Sequence, residues 1–144
     1  MIHRINGKVA IVGVLDFLPS SLSSVYLFYD PKWEFLSPGT LSALKEIEYM
    51  KKIRHLVQDP ENFQWYAMGL YYQDCQKSVY KANFKPAQVA CPKTWNFVYL
   101  SDEVKKKISA EKFPQLSDKP PVFEVEKRVA LEKGLRSELK MKSG

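Results

Sequence analysis

Residues 14–49 read VLDFLPSSLSSVYLFYDPKWEFLSPGTLSALKEIEY, and their order restricts the fold more than any other part of the chain. An apolar run ending in Asp16 meets a proline-serine turn, and a second run, aromatic and β-branched, closes in Tyr29-Asp30-Pro31. Ser37-Pro38-Gly39-Thr40 then opens an amphipathic stretch. The predicted order is strand, turn, strand, loop, helix. KVAIVGVLD (8–16) is almost continuously apolar, which predicts a strand buried on both faces. Residues 17–21 supply the turn and LSSVYLFY (22–29) the next strand. So short a connection makes the two strands antiparallel neighbours. Pro31 ends the pairing, because proline has no N–H to donate.

Ser37 is the expected N-cap, with Pro38 at the first helical position. Leu41, Leu44, Ile47, Met50 and Ile53, helped by Ala43, predict an apolar stripe on one helix face. Glu46 borders the stripe and is expected to be partly buried; Glu48 is expected in solvent. Residues 58–62 close the helix. FQWYAMGLYY (63–72) predicts a third strand, in which Gly69 allows another backbone or a ligand to come close. Residues 73–93 read as irregular, 94–100 as a further strand, and Ser101-Asp102 as the cap of a short helix running to about Lys112. Composition changes at Pro114. Beyond Asp118-Lys119-Pro120-Pro121 the chain is charged and helix-forming, with Leu131, Leu135 and Leu139 at i, i+4 and i+8. The expected division is a domain over 1–113 and a linker with a tail helix over 114–144.

With 144 residues, 45% of them hydrophobic, the chain can build one ordinary core. No apolar run approaches the ~20 residues of a membrane helix, and the first residues show no signal-peptide pattern. The reading is a soluble intracellular protein, cytoplasmic, with the nucleus as a second compartment. The net charge of +6 favours acidic partners such as RNA, although much of it alternates with acids. Lys51-Lys52-Ile53-Arg54-His55 is the densest basic patch, and a helix C-terminus favours cations in any case. Cys75 and Cys91 form no CxxC pair and have no nearby histidine, so no zinc site is expected, and a reducing compartment disfavours a disulfide. His3 and His55 have no motif around them and read as surface residues, which excludes a histidine triad.

Several residues carry chemistry in one reading and plain structure in another. Asp16 at a strand end can bind a cation or act as a base, or can be a turn residue. Ser37, Gly39 and Thr40 at the helix entrance can hold an anion on free N–H groups, or form an ordinary cap. Ser23, Ser24 and Tyr26 can line a site or simply pair and pack. Cys75 has no local base and reads as a buried, inert thiol. Lys81 and Lys85 flank Tyr80 and Phe84, an interleaving that suits an acidic group or a nucleotide, or a packed loop.

Taken in order, these segments resemble the C-terminal region of the arginyl-tRNA–protein transferases. The matching blocks run from Gly7-to-Asp16 with Leu18-Pro19, through Leu22-to-Tyr26 and Tyr29-Asp30-Pro31, to Leu36-Ser37 with Gly39, and Ala43-to-Ile47. Met68-Gly69, Cys75, Tyr80-Lys81, Lys85-Pro86, Cys91-Pro92 and Trp95 follow, so the likeness covers about residues 7–113. The resemblance implies an α/β (α+β) fold of acetyltransferase-like (GNAT-like) type, with a mixed, mainly antiparallel sheet and flanking helices, incomplete at its N-terminal side. It implies transfer of arginine from arginyl-tRNA to the N-terminal amine of proteins beginning with Asp or Glu, marking them for ubiquitin-dependent degradation, with no cofactor and no membrane. The chain departs from the family pattern at Pro38 and in the segment DCQKSVYK (74–81). On this resemblance the chain is expected to begin inside the transferase domain, without the family's N-terminal cysteine-bearing region and any metal or haem role that goes with it.

On that resemblance Asp16 and Glu46 are the candidate catalytic carboxylates, for the arginyl cation or the attacking amine. Ser23, Ser24, Tyr26, Ser37, Gly39 and Thr40 are the candidate donor-binding residues. Lys81, Lys85 and Tyr80 are the candidates for the acceptor. A sheet lacking its first strands leaves an edge exposed, so self-association and weak activity of the chain alone are expected. Two other functions compete: a non-catalytic module binding acidic N-termini, RNA or a protein, and an acetyl-CoA-dependent acetyltransferase. The helix entrance lacks the glycine-rich pyrophosphate loop that the latter needs.

Overall fold

The computed structural model describes residues 1–122, which divide into two compact units after Leu70. The tail with Leu131, Leu135 and Leu139 lies outside the described residues.

The first unit is built on a four-stranded sheet in the order β1-β2-β3-β4. β1 (Ile2–Ile5), β2 (Lys8–Leu18) and β3 (Ser21–Tyr29) form an antiparallel meander, and β4 (Trp65–Ala67) lies parallel to β3. The mixed, mainly antiparallel α+β architecture expected from the sequence is therefore present. β1 was not expected; Asn6 and Gly7, both at positive φ, make the turn into β2. β2 also runs two residues further than predicted, so the turn shrinks to Pro19-Ser20. β2 is buried on both faces only in its middle: Ala10, Ile11 and Gly13 are buried, whereas Val14, on the face of Ala10, is 41% exposed. β4 occupies three of the ten residues predicted, because only Ser21–Ser23 offers it a ladder.

Asp30 caps a 310 segment, Pro31–Leu36, through Oδ1 and the Lys32 N–H at 3.2 Å. α1 (Pro38–Ile53) follows. Its buried positions are Pro38, Ser42, Ala43, Glu46 and Met50, and Leu44 is 55% exposed. The predicted stripe was turned by about one residue: Met50 and Ile53 pack on Leu22, Phe63 and Leu15, while a polar pair, Ser42 and Glu46, takes the centre of the buried face. Glu48 is exposed and paired with Lys45 and Lys52, as expected.

In the second unit, α2 (Gln76–Val79) and a 310 turn (Tyr80–Asn83) occupy the stretch read as irregular. β5 (Gln88–Ala90) and β6 (Phe97–Tyr99) form an antiparallel ribbon, the second shorter than predicted and the first not expected. α3 (Asp102–Ala110) begins as predicted, with Ser101 Oγ accepting from Val104 N–H at 3.2 Å.

Candidate functional site

In the first unit the two faces of the sheet carry different chemistry. On the α1 face, Glu46 is fully buried. Ser42 Oγ, one helical turn earlier, donates to Glu46 Oε1 at 2.6 Å, and the Tyr66 hydroxyl on β4 donates to Oε2 at 2.7 Å. Gly13 on β2 makes the space: a Cβ there would stand 2.7 Å from Glu46 Oε1 and 3.3 Å from Ser42 Oγ. His3 on β1 completes the chain, its Nε2 3.2 Å from Ser42 Oγ. The single Ser42 proton goes to Glu46, so Nε2 carries the proton on the other hydrogen bond. Burial lowers the His3 pKa below its ordinary value; Glu46 opposes that, and the Met1 ammonium and Lys45 add to it. One carboxylate thus ties β1, β2, α1 and β4 together, and His3 is not the plain surface residue it was expected to be.

The opposite face holds Asp16, exposed and directly across from Ser23. Tyr26, across from Val14, shares this face and is 69% exposed. The register slips between Val14 and Leu15, leaving Val25 unmatched, so Ser24 lies across from Leu15 on the α1 side. The structure therefore brings together Asp16, Ser23 and Tyr26 and separates Ser24 from them. β4 accompanies β3 only over Ser21–Ser23; from Ser24 to Tyr29 that edge has no strand beside it among the described residues. Gly69, at φ +70°, passes this opening with its Cβ position 3.9 Å from the Ser24 carbonyl oxygen.

At the helix entrance the expectation for Ser37 is corrected. Its φ is +50° and ψ +61°, its side chain makes no capping bond, and its N–H donates to Glu34 O at 3.0 Å. It ends the 310 segment in a left-handed conformation before Pro38 starts α1, so its hydroxyl is turned away from the first helical N–H groups. Gly39 and Thr40 are half-buried in the first turn.

In the second unit, Lys81 is half-buried, and burial lowers its pKa against the opposing effect of Cys75. Tyr80 packs edge-on to Phe84, ring centroids 6.4 Å apart. Lys85 is exposed and lines a pocket of about 460 Å³ with Ala82, Pro86, Tyr99 and Ser101. Cys75 is an exposed free thiol, not the buried one expected, because it sits at the N-terminal flank of the four-residue α2. Cys91 is the buried one. Burial pushes its thiol up, but the polarity of the Thr94 hydroxyl and of the N–H groups of Leu116, Lys93 and Thr94 around the sulfur outweighs this and brings it to about 6. Charge is divided unevenly. Met1–Leu70 carries as many acidic as basic side chains, so the net +6 belongs wholly to Tyr71–Gly144. In the basic patch at the C-terminal end of α1 and just beyond it, Lys52 pairs with Glu48 at 2.7 Å and Arg54 Nε donates to Pro60 O at 2.6 Å.

Residues 1–91 match the family described as arginine-tRNA-protein transferase, C terminus. The chain belongs to the arginine-tRNA-protein transferase family. It is 48% identical over 107 residues to arginyl-tRNA–protein transferase 1 of Dictyostelium discoideum, which is 74% of this chain and 16% of the relative. It is 36% identical over 123 residues to the Drosophila melanogaster arginyl-tRNA–protein transferase 1, covering 85% of this chain and 25% of that protein. An aspartate/glutamate leucyltransferase of Campylobacter jejuni is 33% identical over 85 residues, 59% of this chain and 32% of the relative. The chain thus spans between about a sixth and a third of the length of these relatives.

The segment matched to the transferase family takes in the whole first unit, with both sheet faces, and reaches Cys91 in the second. Sequence pattern alone does not single out His3, Gly13, Ser42 and Tyr66. One signal was available: Ser42 and Glu46 stand four apart on the helix, and a glycine interrupts the apolar run of β2. Nothing local links His3 or Tyr66 to them.

Proposed function

We propose that this chain supplies the transferase core of an arginyl-tRNA–protein transferase, moving arginine from arginyl-tRNA to the N-terminal amine of proteins that begin with Asp or Glu, the step that marks them for ubiquitin-dependent degradation in the cytoplasm. One observation carries the reading: the segment shared with the transferases folds into the unit with the half-open β3 edge. The splayed strand pair beside a central helix is what an acetyltransferase-like (GNAT-like) core needs to admit a donor. The name of the Campylobacter relative, with its aspartate and glutamate, supports the acidic acceptor.

The reaction is aminolysis of an ester. The acceptor nitrogen attacks the aminoacyl carbonyl, the C–N bond forms, the ester C–O bond breaks, and the ribose oxygen leaves with a proton. An α-amine of pKa about 7.7–8.0 is about one-tenth neutral at pH 7, so little general-base help is required. Positioning and stabilisation of the tetrahedral oxyanion by backbone N–H groups along β3 past Ser23 supply most of the acceleration. Asp16, exposed beside Ser23 and Tyr26, takes the arginyl cation or the amine. Glu46 has no exposed atom; it acts as a positioning residue that holds Tyr66 and hence β4. Lys85, open to its pocket, pairs with the acceptor carboxylate, and half-buried Lys81 adds positive potential. A charge-assisted pair of about 1.5–3 kcal/mol gives about ten- to hundredfold preference for Asp over Asn.

The test is arginyl transfer from labelled arginyl-tRNA to peptides starting with Asp or Asn, using the chain and its Lys85→Met variant. Transfer to the Asp peptide, reduced by Lys85→Met while the Asn peptide is unaffected, is expected. Binding of the peptides or of RNA without turnover would favour the non-catalytic module.

A further inference from the structure

Asp16 is the one acidic residue in the strands of the four-stranded sheet. The only basic residue on its own strand is Lys8, at the far end, ~26 Å away along an extended chain. The rows across the sheet show what lies beside it. Asp16 pairs with Ser23, and Ser23 with Ala67; the next row is Leu18, Ser21 and Trp65. These side chains share the face away from α1, because Leu22 and Tyr66, which alternate with them, meet Met50 and Glu46. On the other side of the Asp16 row stands the pair of Val14 and Tyr26. Trp65 is 54% exposed and Tyr26 69%. The positions between carboxylate and indole hold only small side chains, those of Ser21, Ser23 and Ala67. The side chains of Asp16, Tyr26 and Trp65 make no hydrogen bond, ion pair or ring contact among the described residues. An unpaired carboxylate flanked by open rings, over a floor of small residues, is complementary to a flat cation. The carboxylate accepts from its N–H groups, and the rings meet its faces.

We propose that Trp65 is a specificity-determining residue of the transfer, its indole holding the guanidinium of the donor's arginyl group against Asp16, with Tyr26 on the opposite side. This inference rests on the donor's being an arginyl ester, as proposed above, and of the two roles given there to Asp16 it selects the cation rather than the amine. Laid across β3, a distance of ~5 Å, the arginyl side chain brings its ester carbonyl to the edge that opens after Ser23. An apolar side chain would cover the Asp16 carboxylate without answering its charge. A lysyl group would bring a point charge with no flat face for the indole.

The test is NMR titration of the full chain with arginine methyl ester, which carries the side chain, amine and ester of the donor. Lysine and norleucine methyl esters share its amine and ester and serve as comparisons. The arginine ester is expected to shift the Trp65 indole N–H and the β3 amides, and to bind about fivefold or more tightly than the norleucine ester, with the lysine ester between them. Trp65→Leu, which keeps apolar bulk on β4, and Asp16→Asn are each expected to weaken the arginine ester about two- to fivefold. Trp65→Phe, which keeps a ring, is expected to bind nearly as well as the native chain. Phe28→Ala, whose row partner is Val12, is expected to change nothing. Equal binding of the norleucine ester, leucine serving as well as phenylalanine at position 65, equal loss from Phe28→Ala, or no binding would each overturn the proposal. Equal binding of the norleucine ester would do so by placing the amine, not the guanidinium, on Asp16. The two proposals separate in a transfer assay. The expected ester pattern without arginyl transfer keeps the guanidinium site and counts against the transferase reading. Transfer whose preference for arginyl- over leucyl-tRNA survives Trp65→Leu leaves the transferase reading standing and overturns the role of Trp65.

Discussion

Replacing Gly13 by alanine tests the buried carboxylate directly. In an ordinary β-strand this change stabilises by about 0.5–1 kcal/mol, because glycine loses more backbone freedom on folding. Here the new Cβ would stand 2.7 Å from Glu46 Oε1. Glu46 is fixed from both oxygens by Ser42 and Tyr66 and cannot move without loosening one of them. Overpacking costs about 1–3 kcal/mol, and one lost hydrogen bond to a charged group adds about 1.5–3 kcal/mol. Gly13→Ala is therefore expected to cost about 3–5 kcal/mol. With a urea slope of about 1–3 kcal/mol per molar, the unfolding midpoint falls by about 1 M or more. The decisive measurement is the double-mutant cycle with Glu46→Ala, which removes the obstructing atoms. In that background Gly13→Ala should be neutral or slightly stabilising, so the sign of the effect reverses. Equal costs with and without Glu46 would refute the reasoning, because the penalty would then owe nothing to the carboxylate.

Tyr66→Phe removes the donor to Glu46 Oε2 and should cost about 1–3 kcal/mol in urea unfolding while leaving the Gly13 contact intact. Ser101→Ala should cost about 1 kcal/mol by removing the cap of α3, whereas Ser37→Gly should stabilise by about 1 kcal/mol, since Ser37 sits at φ +50° and caps nothing; melting temperatures of the two variants check this contrast. A thiol reagent should label Cys75 alone in the native chain and both cysteines in denaturant. The Cys91 thiol is held at about 6 when folded and near 9 when unfolded. Its contribution to stability is complete above about pH 9 and is lost as the pH falls to about 6. Urea titrations of the native chain and Cys91→Ser across that range should diverge towards high pH. The lowered His3 pKa adds a further loss of stability below about pH 6.5, absent in His3→Gln.

The meander, its turn and the helix were legible because they are written in local signals: β-branched runs, Pro19, Asp30-Pro31, and proline at the first helical position. The mixed sheet followed from their order. What the sequence did not show arises from pairs distant along the chain. Leu44 fits an apolar stripe as well as Met50 does; only the packing of Gly13 under Ser42 and Glu46 decides which side of α1 turns inward. The brevity of β4 is set by the β3 ladder rather than by its own apolar residues. Ser37 read as a cap from its place before Pro38, yet the 310 segment ahead of it imposes the left-handed backbone. For the candidate site, the pairing of exposed Asp16 with Ser23 could be guessed from adjacent strand ends, while the His3–Ser42–Glu46–Tyr66 chain joins residues that share no motif.

The three-residue partnership of β3 and β4 also bears on how the sheet comes apart. A ladder this short closes few hydrogen bonds, so its opening free energy lies far below that of the β2–β3 pairing, which runs nearly the length of both strands. The Glu46–Tyr66 bond is then the latch on a small local unfolding unit, and amide exchange at Trp65–Ala67 should be governed by that side-chain bond more than by the global stability of the first unit. A carboxylate sealed from solvent thereby sets how often the β3 edge widens beyond Ser23.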